Sequence, residues 1–381
     1  MSHSKKLIAE LGRTVIYHES HGDTWQNAWL DDDRVFTLSC DCLGWNRGCE
    51  EDGSNWALNE LTGDFTKVDG LRGCTINPMK TRPFDYGRWA YTKYDQDALM
   101  RMWKANSIAH IDGALYVSVS RHGAMLESNG YIQDSINAGI IKSEDYGNTW
   151  SRSEYDCYAD PMFKDNIFPL PCFIEYYRGN GPVPMDREDV YKSPDDSDKY
   201  IYLLSNDGYW NNGSKMYLAR VPRERFGAVD ARDWQFLCDI PKTSGINDQC
   251  WSNDPMTKTA ILENPFRLSM AGARYVWPLK RYIMTQAYFP EPYSQNFDTS
   301  TTCFEFYEAP APWGPWTSFY HYEFKGEGYY TPEILSKSIK VNEDNSCSMI
   351  ILTAGDWQKC GLPDSIYRMT AIELKLSFDE D

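Results

Sequence analysis

Residues 21–41, HGDTWQNAWLDDDRVFTLSCD, hold five aspartates. A trio occupies positions 31–33, whereas Asp23 and Asp41 each lie nine residues from Asp32. The flanking runs are rich in apolar and β-favouring residues, so we expect two antiparallel strands with the trio as their turn. At about 3.3 Å per residue, the strands carry Asp23 and Asp41 away from the turn and back to one end. Two carboxylates that flank a glycosidic bond can act as general acid and as base or nucleophile.

Short β-rich runs, broken by acidic or glycine turns, recur along the chain and form five units of about four strands. Dividing 381 residues among five units leaves about 76 for each, which is room for four strands and long loops. A first strand near Thr14–Tyr17 would pair with the last run, Ala371–Ser377, and close a ring. Helical periodicity is scarce, and its best window is Asp95–Trp103. The sequence therefore predicts an all-β fold, a five-bladed β-propeller that forms a single domain over residues 1–381.

In a propeller the innermost strand of each blade runs along the axis and the second strand returns beside it. Residues just before the first strand and just after the second therefore meet at one mouth of the central funnel. Blade one brings Asp23 and Asp41 to this mouth. The returning strands of the other blades end at the same mouth. Blade two supplies Arg121 and His122, blade three Asn206, Asp207 and Trp210, blade four Gln286 and Tyr288, and blade five Asp356 and Trp357. Tyr330 and Glu333 begin the inner strand of blade five.

We predict three catalytic residues, Asp23, Asp41 and His122. The predicted substrate-binding residues are Arg121, Asn206, Asp207, Trp210, Tyr288, Asp356 and Trp357. Each also has a structural explanation. Asp23 could cap a turn, His122 could be a hydrogen-bonded core residue, and Asn206 and Asp207 could form a turn of their own.

Two reactions fit these residue types. A carboxylate pair supports hydrolysis of a glycosidic bond, whereas His or Tyr with Arg can abstract the C5 proton of a uronic acid, as a polysaccharide lyase requires. A third hypothesis is glycan binding without catalysis. Such a site needs aromatic rings more than paired acids, so the acid-rich mouth counts against it.

The stretch Ser143–Trp150, SEDYGNTW, matches the S-x-D-x-G-x-T-W pattern of the Asp-box, a hairpin turn of sialidase-like propellers. In this turn Asp145 would accept backbone N–H bonds, Gly147 would supply a positive φ, and Trp150 would pack underneath. The motif indicates a propeller blade. In such folds it lies away from the active site.

Five stretches along the chain are distinctive, namely GDTW, IDGALYV, NDGYWNNGSKMYLARVP, YEAPAPWGPWTSF and YRMTAIELKL. Through them, most of the chain resembles five-bladed propellers of the DUF4185 type and related carbohydrate-active enzymes. The resemblance implies a glycoside hydrolase that cleaves a plant or microbial polysaccharide or oligosaccharide. It also implies that an aspartate in the GDTW-like segment and one at the end of the next strand carry hydrolysis, which are Asp23 and Asp41. The chain is similar as well to rhamnose–glucuronate lyases, whose reliance on His and Arg would suit Arg121 and His122. Five repeats favour the hydrolase, because those lyases resemble seven-bladed proteins.

The net charge of −17 argues against nucleic acid and acidic membrane as partners, because such binders carry basic surfaces. No apolar run is long enough to span a bilayer. We therefore expect a carbohydrate partner, no nucleic acid and no membrane, and the oligomeric state is left open. No signal peptide is visible, which predicts a cytoplasmic location unless a leader was removed before secretion.

The eleven cysteines form no C-x-x-C pair. This spacing favours mostly unlinked, buried thiols over a zinc site. We predict no metal ligands and no required cofactor. A structural calcium ion on the axis is left open, because propellers can hold one there.

Overall fold

The computed structural model describes residues 6–49, 54–77, 102–127, 130–151, 160–183, 199–239, 250–291, 301–355 and 366–379. Strands dominate these parts, and their only α-helix is the single turn Arg223–Phe226. No helix in the described ranges is long and apolar enough to cross a membrane. Two predicted substrate-binding residues, Asp356 and Trp357, lie outside the described residues.

Antiparallel pairing groups the strands into five meanders, numbered here in chain order. Meander 1 contains β2 (Asn27–Trp29), β3 (Val35–Cys42), β4 (Ser54–Gly63) and β5 (Leu71–Asn77), and meander 2 contains β6 (Met102–Ile111), β7 (Ala114–Glu127) and β8 (Gly130–Ser143). Meander 3 contains β9 (Cys172–Glu175), β10 (Tyr200–Asn206), β11 (Gly213–Pro222), β12 (Gln235–Asp239) and β13 (Cys250–Ser252), with β14 (Leu262–Leu268) paired to β11. Meander 4 contains β15 (Ala273–Val276), β16 (Arg281–Tyr288), β17 (Thr301–Ala309) and β18 (Thr317–Lys325). Meander 5 contains β19 (Tyr329–Ile334), β21 (Cys347–Gly355), β22 (Thr370–Phe378) and β1 (Leu7–Ile16), with β20 (Lys340–Val341) paired to β21.

The meanders are arranged as a ring, and the fold is a β-propeller. Successive meanders bury apolar side chains against each other: one cluster joins meanders 1 and 2, another joins 2 and 3, a third joins 3, 4 and 5, and a fourth joins 5 and 1. The ring closes where β1 pairs with β22, with Val15 opposite Ala371. This confirms the predicted pairing of the first and last runs.

Two of the meanders share one continuous sheet. Their inner strands, β9 and β15, run parallel and pair through Glu175 and Arg274. Because meanders 3 and 4 are joined in this way, the number of five blades stays a prediction.

The acidic trio forms the exposed turn between β2 and β3, as the sequence predicts. The amide of Leu30 donates to the Arg34 carbonyl at 2.9 Å, and Asp33 takes a left-handed φ of 74°. We call this end of the propeller the base. The opposite end, where the inner strands β2, β6, β9, β15 and β19 begin, is the mouth.

The Asp145 turn follows β8 at the base. The Asp145 carboxylate accepts the amide of Thr149 at 2.8 Å and its hydroxyl at 2.7 Å. Gly147 has a φ of 89°, and the Trp150 ring lies edge-on to Trp56 at 5.8 Å. These contacts agree with the expected turn, whereas its assignment as an Asp-box stays a prediction.

Two local expectations need correction. The window Asp95–Trp103 does not end in a helix, because Met102 and Trp103 belong to strand β6, while residues 95–101 lie outside the described ranges. Cys238 and Cys250 form a disulfide between neighbouring strands β12 and β13, which the spacing of the cysteines did not indicate. Most of the other described cysteines are buried thiols, as expected, and Cys74 is exposed.

Candidate active site

Asp23 is held at the mouth by its backbone. Its amide donates to the Cys40 carbonyl at 2.9 Å, and the Cys40 amide donates back to the Asp23 carbonyl at 2.8 Å. The preceding residue, Gly22, has a φ of 147°, and a Cβ there would lie 2.6 Å from Cys42 Cβ. Only glycine fits at position 22 without displacement of the chain. The backbone on both sides of Asp23 is therefore closely constrained.

The Asp23 side chain is 6% exposed. The Tyr330 hydroxyl donates to its Oδ2, and Thr24 Oγ1 lies 3.4 Å from Oδ1. Burial raises the pKa of Asp23, while the positive charge of Lys104 and the Tyr330 hydrogen bond oppose this shift. A buried aspartate with a raised pKa is a typical general acid.

Asp41 reaches the mouth beside Asp23, one residue after the Cys40 bridge. Its carboxylate contacts the ammonium of Lys104, which lies near the start of β6 and is itself buried. Burial lowers the pKa of Lys104, whereas Cys40 and Asp23 counteract that effect. Lys104 thus interacts with both aspartates, and the structure brings the predicted pair together around a lysine that we did not predict.

The backbone is left-handed at three residues around this group. The φ angles are 52° at Thr24, 45° at Asp41 and 46° at Thr331. Such conformations cost about 1–3 kcal/mol each in non-glycine residues and are concentrated at functional sites. The strained residues directly follow Asp23 and Tyr330 or are Asp41 itself.

Arg121 and His122 are both buried near the mouth, on opposite faces of β7, because neighbours on a strand alternate sides. The His122 ring packs on Trp210 with 4.1 Å between centroids, and its Nδ1 lies 3.1 Å from Ser135 Oγ. His122 therefore faces meander 3. By the same alternation, the Arg121 side chain leaves the other face of β7. The structure joins His122 to the predicted residue Trp210, but does not direct Arg121 and His122 to a common point.

Asn206 and Asp207 take part in a turn. Asn206 Nδ2 donates to the carbonyls of Tyr209 and Leu268 at 2.5 and 3.1 Å, and Asp207 Oδ1 accepts the Ser214 amide at 3.0 Å. These bonds agree with the structural explanation of the two residues. Their role in substrate binding stays a prediction.

Tyr288 belongs to a separate aromatic group on meander 4. The Arg267 guanidinium lies 5.3 Å from its ring centroid, and the His321 ring is stacked on it at 6.3 Å. Burial raises the pKa of Tyr288. Its role in substrate binding stays a prediction.

Below the aspartates, a buried ion cluster lies among the inner strands. Arg274 Nε is 3.3 Å from Glu175 Oε2, and Arg274 Nη2 is 2.6 Å from Glu333 Oε1. Arg274 Nη2 also donates to the carbonyl of Asn27 at 2.9 Å, and Ser336 Oγ donates to Glu175 Oε2 at 3.2 Å. Asn27 pairs with Thr37, which lies three residues toward the base from Cys40, the partner of Asp23, and this separation corresponds to about 10 Å along β3. We call this group the axial cluster.

The axial cluster has two carboxylates for one guanidinium. Burial raises the pKa of Glu175 to about 7, Arg274 opposes the shift, and Glu333 adds to it. Burial likewise raises the pKa of Glu333. The described residues include no group of three or more His, Cys, Asp and Glu side chains that could hold a metal ion. Through the contacts of Arg274, the cluster links meanders 1, 3, 4 and 5.

The comparisons with known proteins identify no family. No protein-family model and no curated protein matches the chain. Similar solved structures include a candidate hydrolase from Bacteroides ovatus, 12% identical over 96% of this chain and 87% of that chain, with a TM-score of 0.47. They also include an endo-1,4-β-xylanase from Bacteroides thetaiotaomicron, 10% identical over 94% of this chain and 92% of that chain, with a TM-score of 0.45.

A third similar structure is a xylan β-1,4-xylosidase from Bacillus halodurans, 11% identical over 95% of this chain, with a TM-score of 0.42. The match spans 54% of the length of that xylosidase. At these TM-scores the similarities carry no argument about activity. The activity has to be inferred from the site itself.

Proposed function

We propose that the chain is a glycoside hydrolase that cleaves a polysaccharide or oligosaccharide at the mouth of the propeller. The observation that carries this proposal is the placement of Lys104 with two aspartates in different environments. Asp23 is buried and its pKa is raised, whereas Asp41 contacts the ammonium of Lys104. Paired carboxyl groups with opposite protonation states are what glycoside hydrolysis requires.

In the proposed mechanism, Asp23 is the general acid. Burial favours its protonated form by raising its pKa, and it donates this proton to the glycosidic oxygen as the bond breaks. Asp41 contacts the ammonium of Lys104, and a neighbouring positive charge favours the charged form of a carboxyl group. It acts as the base that activates water or as the nucleophile at the anomeric carbon.

A lyase that uses Arg121 and His122 is less well supported. Proton abstraction and neutralisation of a uronate must act on the same sugar, yet these two side chains leave opposite faces of β7. Glycan binding without catalysis would leave the raised pKa of Asp23 and the buried Lys104 without a chemical role. In the proposed hydrolase, Asp23 with its raised pKa is the general acid, and Lys104 contacts the base or nucleophile Asp41.

The proposal can be tested with Asp23→Asn and Asp41→Asn. Each variant should lose about 10²–10⁴-fold in rate of reducing-end release from whichever plant or microbial polysaccharide the wild type cleaves. Asp31→Asn is the matched control, because it makes the same change on the same hairpin at the exposed base turn, and should keep wild-type activity. Circular dichroism would verify folding of all three.

Full activity in both mouth variants would refute the assignment of the carboxylate pair. Products with the ultraviolet absorbance of an unsaturated uronate would replace hydrolysis with elimination. Binding on a glycan array without cleavage of any panel member would replace the enzyme with a lectin-like function.

A further inference from the structure

The loop Leu43–Cys49 follows β3 and supports the segment that leads into Asp23. The amide of His21 donates to the Gly44 carbonyl, and the Gly44 amide donates back to the His21 carbonyl, both at 3.0 Å. The amide of Asn46 donates to the carbonyl of Glu19 at 2.7 Å. Because Asp41 lies two residues before this loop, one structural unit carries both predicted carboxylates.

Two thiols lie at the ends of this unit. Cys42 is the last residue of β3 and is 2% exposed, while Cys49 is the last residue of the loop and is 6% exposed. With Ala57 they form a small buried cluster of their own. The two sulfur atoms are hydrogen-bond neighbours, and Cys42 Sγ also lies 3.3 Å from the carbonyl oxygen of Ser39.

The conformation of the loop is strained. Gly44, Asn46 and Arg47 have φ angles of 72°, 50° and 57°. Left-handed non-glycine residues persist only where the surroundings hold them in place. A covalent link between the two ends of the loop would supply such a constraint, because a cross-link restricts the conformations open to the residues that it encloses.

We propose that Cys42 and Cys49 form a second disulfide of this protein, which fastens the loop beneath Asp23 and Asp41. The chain already accepts such a link between adjacent strands at Cys238 and Cys250. The proposal is independent of the reaction catalysed at the mouth. It concerns a covalent modification of the supporting loop.

The oxidant would be a low-molecular-weight disulfide such as oxidised glutathione. The more exposed Cys49 attacks one of its sulfurs as a thiolate, so that a mixed disulfide forms and one glutathione leaves. Cys42 then attacks the Cys49 sulfur, which forms the Cys42–Cys49 bond and releases the second glutathione. The two thiol protons end on the two glutathione thiols, and one disulfide has been exchanged for another.

Burial, and after it the hydrogen bond with Cys49, raise the pKa of Cys42 well above its usual value. Since the thiolate is the reacting form, exchange in the folded protein is slow. The bond would form mainly during folding, while the loop is accessible. Once formed, the bond would be protected because burial of both sulfur atoms keeps the thiolate of a reductant away.

The test is a disulfide map of the full chain. The reduced, unfolded protein is refolded in mixed reduced and oxidised glutathione, remaining thiols are blocked with iodoacetamide, and the protein is digested with trypsin without reduction. Cleavage after Arg34, Arg47 and Lys67 separates residues 35–47 from residues 48–67. We expect these two peptides to be joined.

Residues 233–242 and 243–258 carry Cys238 and Cys250 and provide the internal positive control. Cys40 shares the first peptide with Cys42, but its Sγ lies 3.5 Å from the carbonyl oxygen of Ala105 on β6. Cys42→Ser should therefore abolish the joined peptides, whereas Cys40→Ser should retain them. Alkylated, separate peptides 35–47 and 48–67 under conditions that join the control pair would overturn the proposal.

Discussion

Replacement of Glu175 by glutamine should change how the stability of this protein depends on pH. Glutamine keeps the size of the side chain and its ability to accept from Ser336, but it cannot ionise. The groups that face position 175 are Arg274, Glu333 and Ser336. The substitution therefore removes one titrating group from the axial cluster and leaves its ion pair between Arg274 and Glu333.

The expected size of the effect follows from the pKa of Glu175. It rises from 4.5 to about 7 on folding, so the folded protein binds a proton that the unfolded chain has released between these pH values. The associated stability is fully present below pH 4.5 and is lost as the pH rises through 7. At about 1.4 kcal/mol per pKa unit, the wild type should lose about 3 kcal/mol of unfolding free energy across this window.

Urea denaturation at several pH values between 4.5 and 7.5 would measure this loss. The difference in unfolding free energy between Glu175→Gln and wild type isolates the contribution of Glu175, because the other titrating groups are present in both proteins. We expect this difference to shift by about 3 kcal/mol in favour of the variant as the pH rises. If the difference in unfolding free energy between the two proteins were constant with pH, Glu175 would titrate as an exposed carboxyl group does. This result would refute the description of the axial cluster as a buried site with two carboxyl groups for one guanidinium.

Three further predictions concern the mouth and the base. Lys104→Met should reduce the rate of hydrolysis at least about 10²-fold. Because the substitution removes a positive charge that lowers the pKa of Asp23, the basic limb of the pH–rate profile should also move to higher pH. An unchanged basic limb would contradict the role of the lysine. Gly22→Ala should lower stability by about 1–3 kcal/mol, measured by thermal unfolding. Gly113→Ala is the control, because Gly113 also has a positive φ, of 84°, but a Cβ there would meet open space. Equal losses of stability in the two variants would mean that contact with Cys42 is unimportant. Asp145→Ala should cost about 1–3 kcal/mol through its lost hydrogen bonds and leave kcat/KM unchanged, because this turn is at the base, and a change in kcat/KM would argue otherwise.

The location of Asp23 and Asp41 could be predicted because it depends on local rules. A clear turn signal and a constant rise per residue are enough to bring both acids to one end of a hairpin. Closure of the ring by the first and last runs was also predictable from their β-rich composition. These features require no knowledge of how distant parts of the chain pack.

Lys104 was missed because the window Asp95–Trp103 was interpreted as helical, so the start of the second inner strand, where Lys104 lies, was not recognised. The useful signal was a single lysine among the strand-favouring residues of MWKANSIAHI. The axial cluster depends on Glu175, Arg274 and Glu333, which come from three meanders, and no local pattern indicates that they meet. Pairing of Cys238 with Cys250 likewise depends on the register of two neighbouring strands rather than on cysteine spacing.

The pairing of β1 with β22 has a consequence for synthesis of the protein on the ribosome. The amide of Asp379 donates to the carbonyl of Lys6 at 2.8 Å, so the first and last described residues are neighbours in space. Until β22 has been translated, the first strand therefore has no partner on either edge among the described strands. Contacts of such high contact order form slowly, and an exposed strand edge can pair with another chain. Nascent chains should depend on a holding chaperone until the final strand is released.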